Sequence, residues 1–280
     1  MDDFETKGLL KLSGVVDQDV VKGVREAFWR EISSRFQIYS DAPESWSAHF
    51  DGGQKAVRAR RLSGMNPIMK TLTDAGELST LQASIQQAFD ETFGKNKWEP
   101  SSIWYSLLNF PGNQTEWNVP HKSWHADEPI VVGDSEPWTI FTFVFLDTVD
   151  HGGGSTTAVT GSHRRAEQLA EKIGTRDEML IKAFESTNSG LVDPKTVRAL
   201  APTEIVRNLA KEDAWFRNLI TEGAPNSPES DHSVVELTGD PGDLILLDPR
   251  CLHSGSDNIS DRPREVIRID FKRVSPNETG

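Results

Sequence analysis

The sequence predicts a mainly β fold, a double-stranded β-helix of the jelly-roll or cupin-like type with helices packed on its outside. Three observations predict it: helical patterns come first, short β-rich apolar runs dominate after residue 102, and a second helical stretch at about 165–235 separates two groups of strands. A chain of 280 residues, 36% of them hydrophobic, can bury such a core as a single domain over residues 1–280.

The N-terminal part of the chain contains two helical patterns. In the first, Asp17 or Asp19 can cap the helix, since an aspartate side chain accepts hydrogen bonds from the free N–H groups of a first turn. The second pattern covers residues 76–93. Apolar residues recur at helical spacing, which places them on one face of each helix: Val20, Val21, Val24, Ala27, Phe28 and Ile32 in the first, and Leu78, Leu81, Ile85 and Phe89 in the second.

Strand patterns dominate the remainder of the chain outside the helical insertion. Residues 139–146 are apolar, β-branched and aromatic, and the run is too short for a core helix. Gly152, Gly153 and Gly154 allow backbone conformations with positive φ before the next strand. The predicted strands are 103–109, 139–146, 155–160, 243–248 and 265–273.

Composition limits the classes of partner. The net charge of −13 disfavours nucleic acid and anionic membranes, which repel an acidic protein. Cys251 is the only cysteine, so an internal disulfide is excluded and an oxidising compartment is not required. Neither a signal-peptide pattern nor a membrane-length apolar run occurs. By elimination we expect a cytoplasmic protein with a small-molecule partner; nothing in the sequence indicates an oligomeric state.

His125, Asp127 and His253 are the candidate metal ligands. On a strand, residues two apart point to the same side, so His125 and Asp127 can share a metal. His253 follows the predicted buried strand 243–248, and the loop after such a strand can supply a third ligand. Two imidazoles and one carboxylate occupy one face of an octahedral iron and leave the opposite face for small molecules. The pattern therefore predicts a non-heme Fe(II) site.

Arg264 is the candidate carboxylate-binding residue. It follows the last candidate ligand by eleven residues and lies opposite in parity to the apolar stripe Ile267, Ile269 and Phe271. A 2-oxo acid that chelates iron through its C1 carboxylate and C2 keto oxygen needs a cation for its distal carboxylate, and arginine suits this planar recognition. Arg268 has the same parity and is the alternative.

Tyr105 and Asn109 are further candidates for hydrogen bonds to the 2-oxo acid. Both lie on the predicted strand that leads into the first ligand segment. For each of them, a plain structural role is the alternative.

Together these residues resemble the phytanoyl-CoA dioxygenase-like family of Fe(II)/2-oxoglutarate oxygenases, which commonly uses this spacing between its distal histidine and its 2-oxoglutarate arginine. The resemblance covers most of residues 4–164 and 236–274. Three further segments carry it: 152–164 resembles the family's glycine-led strand ending in Gly-Ser-His, Phe110-Pro111-Gly112 resembles the segment before the first ligand, and 8–16 resembles its usual opening.

The resemblance implies a catalytic centre in which His125, Asp127 and His253 bind Fe(II), Arg264 holds 2-oxoglutarate, and O2 is the oxidant. It implies hydroxylation of a substrate with release of succinate and CO2. Asp127 fills the position that related halogenases leave open for chloride, which favours hydroxylation. Desaturation, epimerisation and ring rearrangement use the same triad and stay open. For an acidic chain we expect the substrate to be a small metabolite or natural-product intermediate.

Two other classes of function are weighed against this one. A jelly roll can be a non-catalytic binding protein, in which we would expect a ligand or the arginine to be lost. A cupin-type dioxygenase or isomerase would use the metal without 2-oxoglutarate, and Arg264 disfavours it.

The helical insertion at 165–235 is expected to act as a lid, because both of its ends lead to strands of the candidate site. Within it, residues 223–234 are rich in Pro, Ser, Asn and Asp, a composition typical of a mobile loop. The alternative is a set of helices that covers the outside of the barrel.

Overall fold

A computed structural model describes residues 2–47, 61–63, 66–121, 123–175, 198–223 and 232–274. The helices are α1 (Asp2–Lys7), α2 (Gln18–Phe36), α3 (Pro43–Ser47), α4 (Asn66–Asp74), α5 (Ser79–Phe93), α6 (Ser162–Ile173), α7 (Pro202–Glu212) and α8 (Ala214–Glu222). The strands are β1 (Leu9–Leu12), β2 (Arg61–Ser63), β3 (Trp98–Asn109), β4 (Ile130–Val131), β5 (Thr139–Phe145), β6 (Thr156–Val159), β7 (Ala199–Leu200), β8 (Val234–Glu236), β9 (Leu244–Leu247), β10 (His253–Gly255) and β11 (Val266–Arg273).

The strands form two main antiparallel sheets. The larger has six strands in the order β1-β9-β5-β11-β3-β2, and the smaller has the order β10-β6-β8. β4 and β7 pair separately. Because sequence neighbours such as β9 and β10 lie in different sheets, the chain crosses between the sheets as a jelly roll requires. The predicted mainly β fold with flanking helices is confirmed.

The start of the first long helix agrees with its predicted cap, whereas two other element boundaries differ from the prediction. α2 begins directly after Asp17, whose carboxylate accepts hydrogen bonds from the N–H groups of Asp19 (2.8 Å) and Val20 (3.4 Å), so Asp17 is the cap. The second predicted helix begins three residues late, at Ser79. β3 extends five residues further towards the N-terminus than predicted, because β11 continues to pair with it as far as Trp98 beyond a register shift.

The alternation along β11 separates two cores. Ile267, Ile269 and Phe271 point to the helical side, where Phe271 stacks on Phe89 of α5 with ring centres 3.8 Å apart. Val266 belongs instead to the apolar cluster between the two sheets. Arg264, Arg268 and Asp270 share its parity and therefore face the inside of the barrel.

The described helices of the insertion pack against segments that flank the candidate metal ligands. α6, α7 and α8 form one buried cluster with those segments, here called the insertion cluster, which consists of Trp124, Ala126, Ile130, Val159, Ala166, Leu169, Ala170, Leu200, Ile205, Leu209, Phe216, Leu219 and Leu252. This packing matches helices on the outside of the barrel. Residues 176–197 and 224–231 lie outside the described part of the chain, so the lid and its 223–234 loop stay a prediction.

Within the described ranges, no helix has both the length and the apolar character needed to cross a membrane.

Phe216→Ala tests whether the insertion cluster supports the two histidine segments. Phe216 is fully buried in the cluster, so its loss should reduce the free energy of unfolding by about 3–5 kcal/mol. It should also speed native-state amide exchange in residues 123–127 and 251–255, measured by mass spectrometry. Phe89→Ala is the matched control, because it removes the same side chain from the other core. Equal acceleration by the control would show that the insertion cluster has no local effect.

Candidate metal centre

His125 and His253 meet through their backbones. The N–H of His125 donates to the carbonyl of His253 at 3.1 Å, and the N–H of His253 donates back at 2.9 Å. The N–H of Asp127 donates to the carbonyl of Pro249 at 2.8 Å. His253 is the first residue of β10, where a loop was expected, since the turn after β9 takes only residues 248–252.

The His125-Ala126-Asp127 segment keeps the predicted side-chain alternation without being a regular strand. His125 lies in an isolated bridge, two residues after Ser123, whose φ of 67° interrupts an extended conformation. Trp124 and Ala126 are buried in the insertion cluster. The side chains of His125 and Asp127 point the other way and are 50% and 40% exposed.

The imidazoles are held with their Nε2 atoms towards Asp127. Nδ1 of His125 lies 2.7 Å from the carbonyl of Ser123, and Nδ1 of His253 lies 2.9 Å from the carbonyl of Cys251. Because a carbonyl accepts, each Nδ1 carries the proton and each Nε2 presents a lone pair. Nε2 of His125 is 3.7 Å and Nε2 of His253 is 3.5 Å from the carboxylate of Asp127.

These three side chains fit an iron site by their donor set. Their ligand atoms all lie within 4.8 Å of one another, and among the described residues no other group of three His, Cys, Asp or Glu converges in this way. Backbone carbonyls on Nδ1 orient both rings, as in established metal sites. Two neutral nitrogens and one carboxylate suit divalent iron.

Electrostatics favour the protonation states that bind a metal. Burial lowers the pKa of His125, and the charge of His253 acts in the same direction. Burial alone would raise the pKa of Asp127, but a hydrogen bond and charge from protonated His253, with the charges of protonated His125 and of Arg268, outweigh it and lower the pKa. At neutral pH this favours a neutral His125 beside an ionised Asp127.

Arg264 lies inside the barrel and is 9% exposed. Its Nε donates to the carbonyl of Leu107 at 2.8 Å and its Nη1 to the carbonyl of Gly154 at 2.7 Å. Its backbone pairs with that of Asn109, whose Nδ2 donates to the carbonyls of Gly154 (3.1 Å) and Ser256 (3.2 Å). The side-chain amide of Asn109 thus donates its hydrogen bonds within the protein. This agrees with the structural role rather than with a hydrogen bond to the 2-oxo acid.

Arg268 and Tyr105 lie on paired positions of β11 and β3. The Arg268 guanidinium is 4.4 Å from the centre of the Tyr105 ring and 3.8 Å from that of Phe141. Phe141 in turn meets the His253 ring edge-on at 6.1 Å. Tyr105 therefore faces the interior near the candidate ligands, together with Arg268, the alternative to Arg264.

Two carboxyl groups with raised pKa values, those of Glu128 and Asp270, were not predicted from the sequence. Glu128 accepts hydrogen bonds from the N–H of Trp138 (2.9 Å) and the hydroxyl of Thr139, and burial raises its pKa to about 7. Burial also raises the pKa of Asp270, to about 6. Glu128 follows a predicted ligand directly, but no spacing pattern indicates its burial, which depends on the distant residues 138 and 139. For Asp270, the alternation of side chains along β11 was the sequence signal that could have placed it on the inner face.

Comparisons with known proteins agree with this fold. The family model for phytanoyl-CoA dioxygenase matches residues 4–266. No curated protein sequence matches the chain significantly. The crystal structure of AviO1 from Streptomyces viridochromogenes Tue57 is similar, with a TM-score of 0.54 and 17% identity over 97% of this chain and 92% of that one. EvdO2 from Micromonospora carbonacea var. aurantiaca has a TM-score of 0.50 and 16% identity over 98% and 89%. EvdMO1 has a TM-score of 0.51 and 18% identity over 97% and 49%.

A double variant, His125→Ala with His253→Ala, should reduce Fe(II) affinity by at least about a hundredfold, since loss of a group that merely orients a ligand already costs about 10–100-fold. Anaerobic titration of the metal-free protein measures it. His121→Ala removes an exposed imidazole four residues before His125 and should bind iron like the parent. Parent-like binding by the double variant would contradict the assignment.

Glu128→Gln should change the pH dependence of stability. A carboxyl with a pKa raised from 4.5 to about 7 stabilises the fold below about pH 4.5 and loses that contribution as pH rises through 7. Glutamine mimics the protonated form, so relative to the parent it should gain on the order of 2–3 kcal/mol between pH 4.5 and 8 in urea unfolding. Glu116→Gln replaces an exposed carboxyl, so its free energy of unfolding should change with pH in the same way as that of the parent. Parallel profiles for Glu128→Gln would refute the raised pKa.

Proposed function

Because the chain belongs to the phytanoyl-CoA dioxygenase family, we propose that it is an Fe(II)- and 2-oxoglutarate-dependent dioxygenase that hydroxylates a small molecule. One observation carries the proposal: the two Nε2 atoms and the carboxylate of His125, His253 and Asp127 converge at the edge of a barrel whose interior contains Arg264. A binding protein without chemistry would have no need of this set.

In this proposal each residue has a distinct role. His125, Asp127 and His253 hold the iron, and the guanidinium of Arg264 binds the distal carboxylate of 2-oxoglutarate. Tyr105 lines the space between them. Asn109 positions Arg264, since its backbone pairs with that residue and its amide holds the Gly154 carbonyl that Arg264 also contacts.

When bound, the iron and 2-oxoglutarate supply the oxidising chemistry, with O2 consumed and succinate and CO2 released. The protein contributes orientation and exclusion of water. Phe141, Phe143 and Phe145 form an apolar inner wall on β5, which limits the access of water to the bound cosubstrate. Asp127 as the third ligand favours hydroxylation over halogenation.

The substrate class belongs to the same proposal. A small metabolite or natural-product intermediate suits an interior site in an acidic chain, and the cytoplasm supplies both iron and 2-oxoglutarate. A substrate can be recognised because it stimulates the release of succinate. Analysis of its product then distinguishes hydroxylation from desaturation, epimerisation and ring rearrangement.

Anaerobic addition of 2-oxoglutarate to the Fe(II)-loaded protein tests the cofactor assignment without a known substrate. Chelation should produce a visible charge-transfer band that saturates at one equivalent. A protein that binds iron but gives no band with 2-oxoglutarate would support the cupin-type alternative.

Arg264→Ala should weaken 2-oxoglutarate binding tenfold or more, because hydrogen bonds to a charged group contribute about 1.5–3 kcal/mol each. The same titration measures it, with thermal unfolding as a check that the fold persists. Arg262→Ala removes a half-exposed arginine two residues earlier and should have no effect. If Arg268→Ala weakens binding and Arg264→Ala does not, Arg268 is the cosubstrate arginine.

A further inference from the structure

Arg268 is a partly buried arginine whose guanidinium makes few hydrogen bonds. Among the described residues, its hydrogen bond runs from Nη2 to Oδ2 of Asp270 at 3.4 Å, and its buried Nε has no partner with hydrogen-bond geometry. Arg250 and Arg264, by contrast, donate to carboxylate and carbonyl oxygens at 2.7–3.3 Å. Buried donors are normally paired, so this difference requires an explanation.

Asp270 also lacks a hydrogen bond at one of its buried atoms. Its Oδ1 lies 3.0 Å from Nε of Arg268, an ion pair whose atoms are not aligned for a hydrogen bond, and it has no other partner in the described part of the chain. The two side chains are 17% and 16% exposed. Unpaired donors and acceptors side by side in an interior are the arrangement by which a site recognises a polar ligand.

The pair borders the candidate iron ligands. The Arg268 guanidinium lies 3.8 Å from the centre of the Phe141 ring, which meets the His253 ring edge-on. Arg264 is four residues away along the strand, about 13 Å at the usual rise of about 3.3 Å per residue. Arg264 and Arg268 are therefore separate positions on the inner face, and the 2-oxoglutarate titration of their variants tells which one holds the cosubstrate.

We propose that Arg268 and Asp270 bind the substrate through a neutral group that both accepts and donates hydrogen bonds, such as two adjacent hydroxyls. This inference rests on the proposed function, because the substrate must lie beside the iron. A carboxylate on the substrate would be repelled by Asp270, and an ammonium group would be repelled by Arg268. A vicinal diol gives the guanidinium an acceptor and the carboxylate a donor.

Three probes on the same ring test this ligand class: trans-1,2-cyclohexanediol, cyclohexanecarboxylate and cyclohexylammonium. Each is added anaerobically to the protein loaded with Fe(II) and 2-oxoglutarate, and relaxation of its protons by the paramagnetic iron reports binding near the metal. The diol should bind most tightly of the three. Arg268→Gln and Asp270→Asn should each weaken its binding tenfold or more, while the charge-transfer titration gives a parent-like 2-oxoglutarate affinity.

Arg262→Gln makes the same substitution at a surface arginine paired with Asp150 and should leave diol binding unchanged. The proposal is overturned if the carboxylate or ammonium probe binds best, if none of the probes binds the parent, or if both variants bind the diol like the parent. It is also overturned if Arg268→Gln weakens 2-oxoglutarate binding instead. Failure of the proposed function would appear separately, as a parent protein that forms no complex with iron and 2-oxoglutarate.

Discussion

The paired backbone hydrogen bonds between His125 and His253 are the contact on which the candidate site depends. They join segments that lie 128 positions apart in the sequence and belong to no common long strand. One bridge cannot hold two segments against the entropy of a flexible chain. The neighbouring side chains Trp124, Ala126 and Leu252 are buried among α6, α7 and α8, so apolar packing behind the bridge fixes both histidines.

The turn from β9 to β10 is the second constraint on His253. Arg250 donates to Asp248 through its backbone N–H and through its guanidinium, and the guanidinium also reaches the carbonyls of Asp134 and Ser135. A buried ion pair contributes little net stability because both charges lose their hydration. With its hydrogen bonds satisfied, it instead selects one conformation of the turn, in which the Cys251 carbonyl faces Nδ1 of His253.

Sequence periodicity predicted the large elements and the facing of β11, because each of these depends on neighbours in the chain. It did not predict α4 or the short strands β2, β4, β7 and β8, which have two to nine residues and no repeating pattern of sufficient length. The N-terminal half of β3 was missed because Pro100, Ser101 and Ser102 lack strand character. Pro100 pairs with Phe271 of β11, whereas the two serines lie at the register shift. The partners of Glu128 and Asp270 were not predictable, since burial of a carboxyl depends on tertiary packing.

Two arginines on the same face of one polypeptide segment are held in different ways, and this difference bears on what each can bind. Arg264 is fixed by two carbonyls, one of them from Gly154, where a Cβ would lie 2.4 Å from Nδ2 of Asn109. Such a preorganised guanidinium loses little freedom on binding a ligand of constant shape. Arg268 is oriented by the faces of Tyr105 and Phe141, which constrain the plane of the guanidinium but satisfy none of its N–H groups. In the described part of the chain its one hydrogen bond is the long contact from Nη2 to Asp270, so its binding energy depends on what the ligand offers. In the functions proposed above, one segment thereby serves an invariant cosubstrate at Arg264 and discriminates among substrates at Arg268.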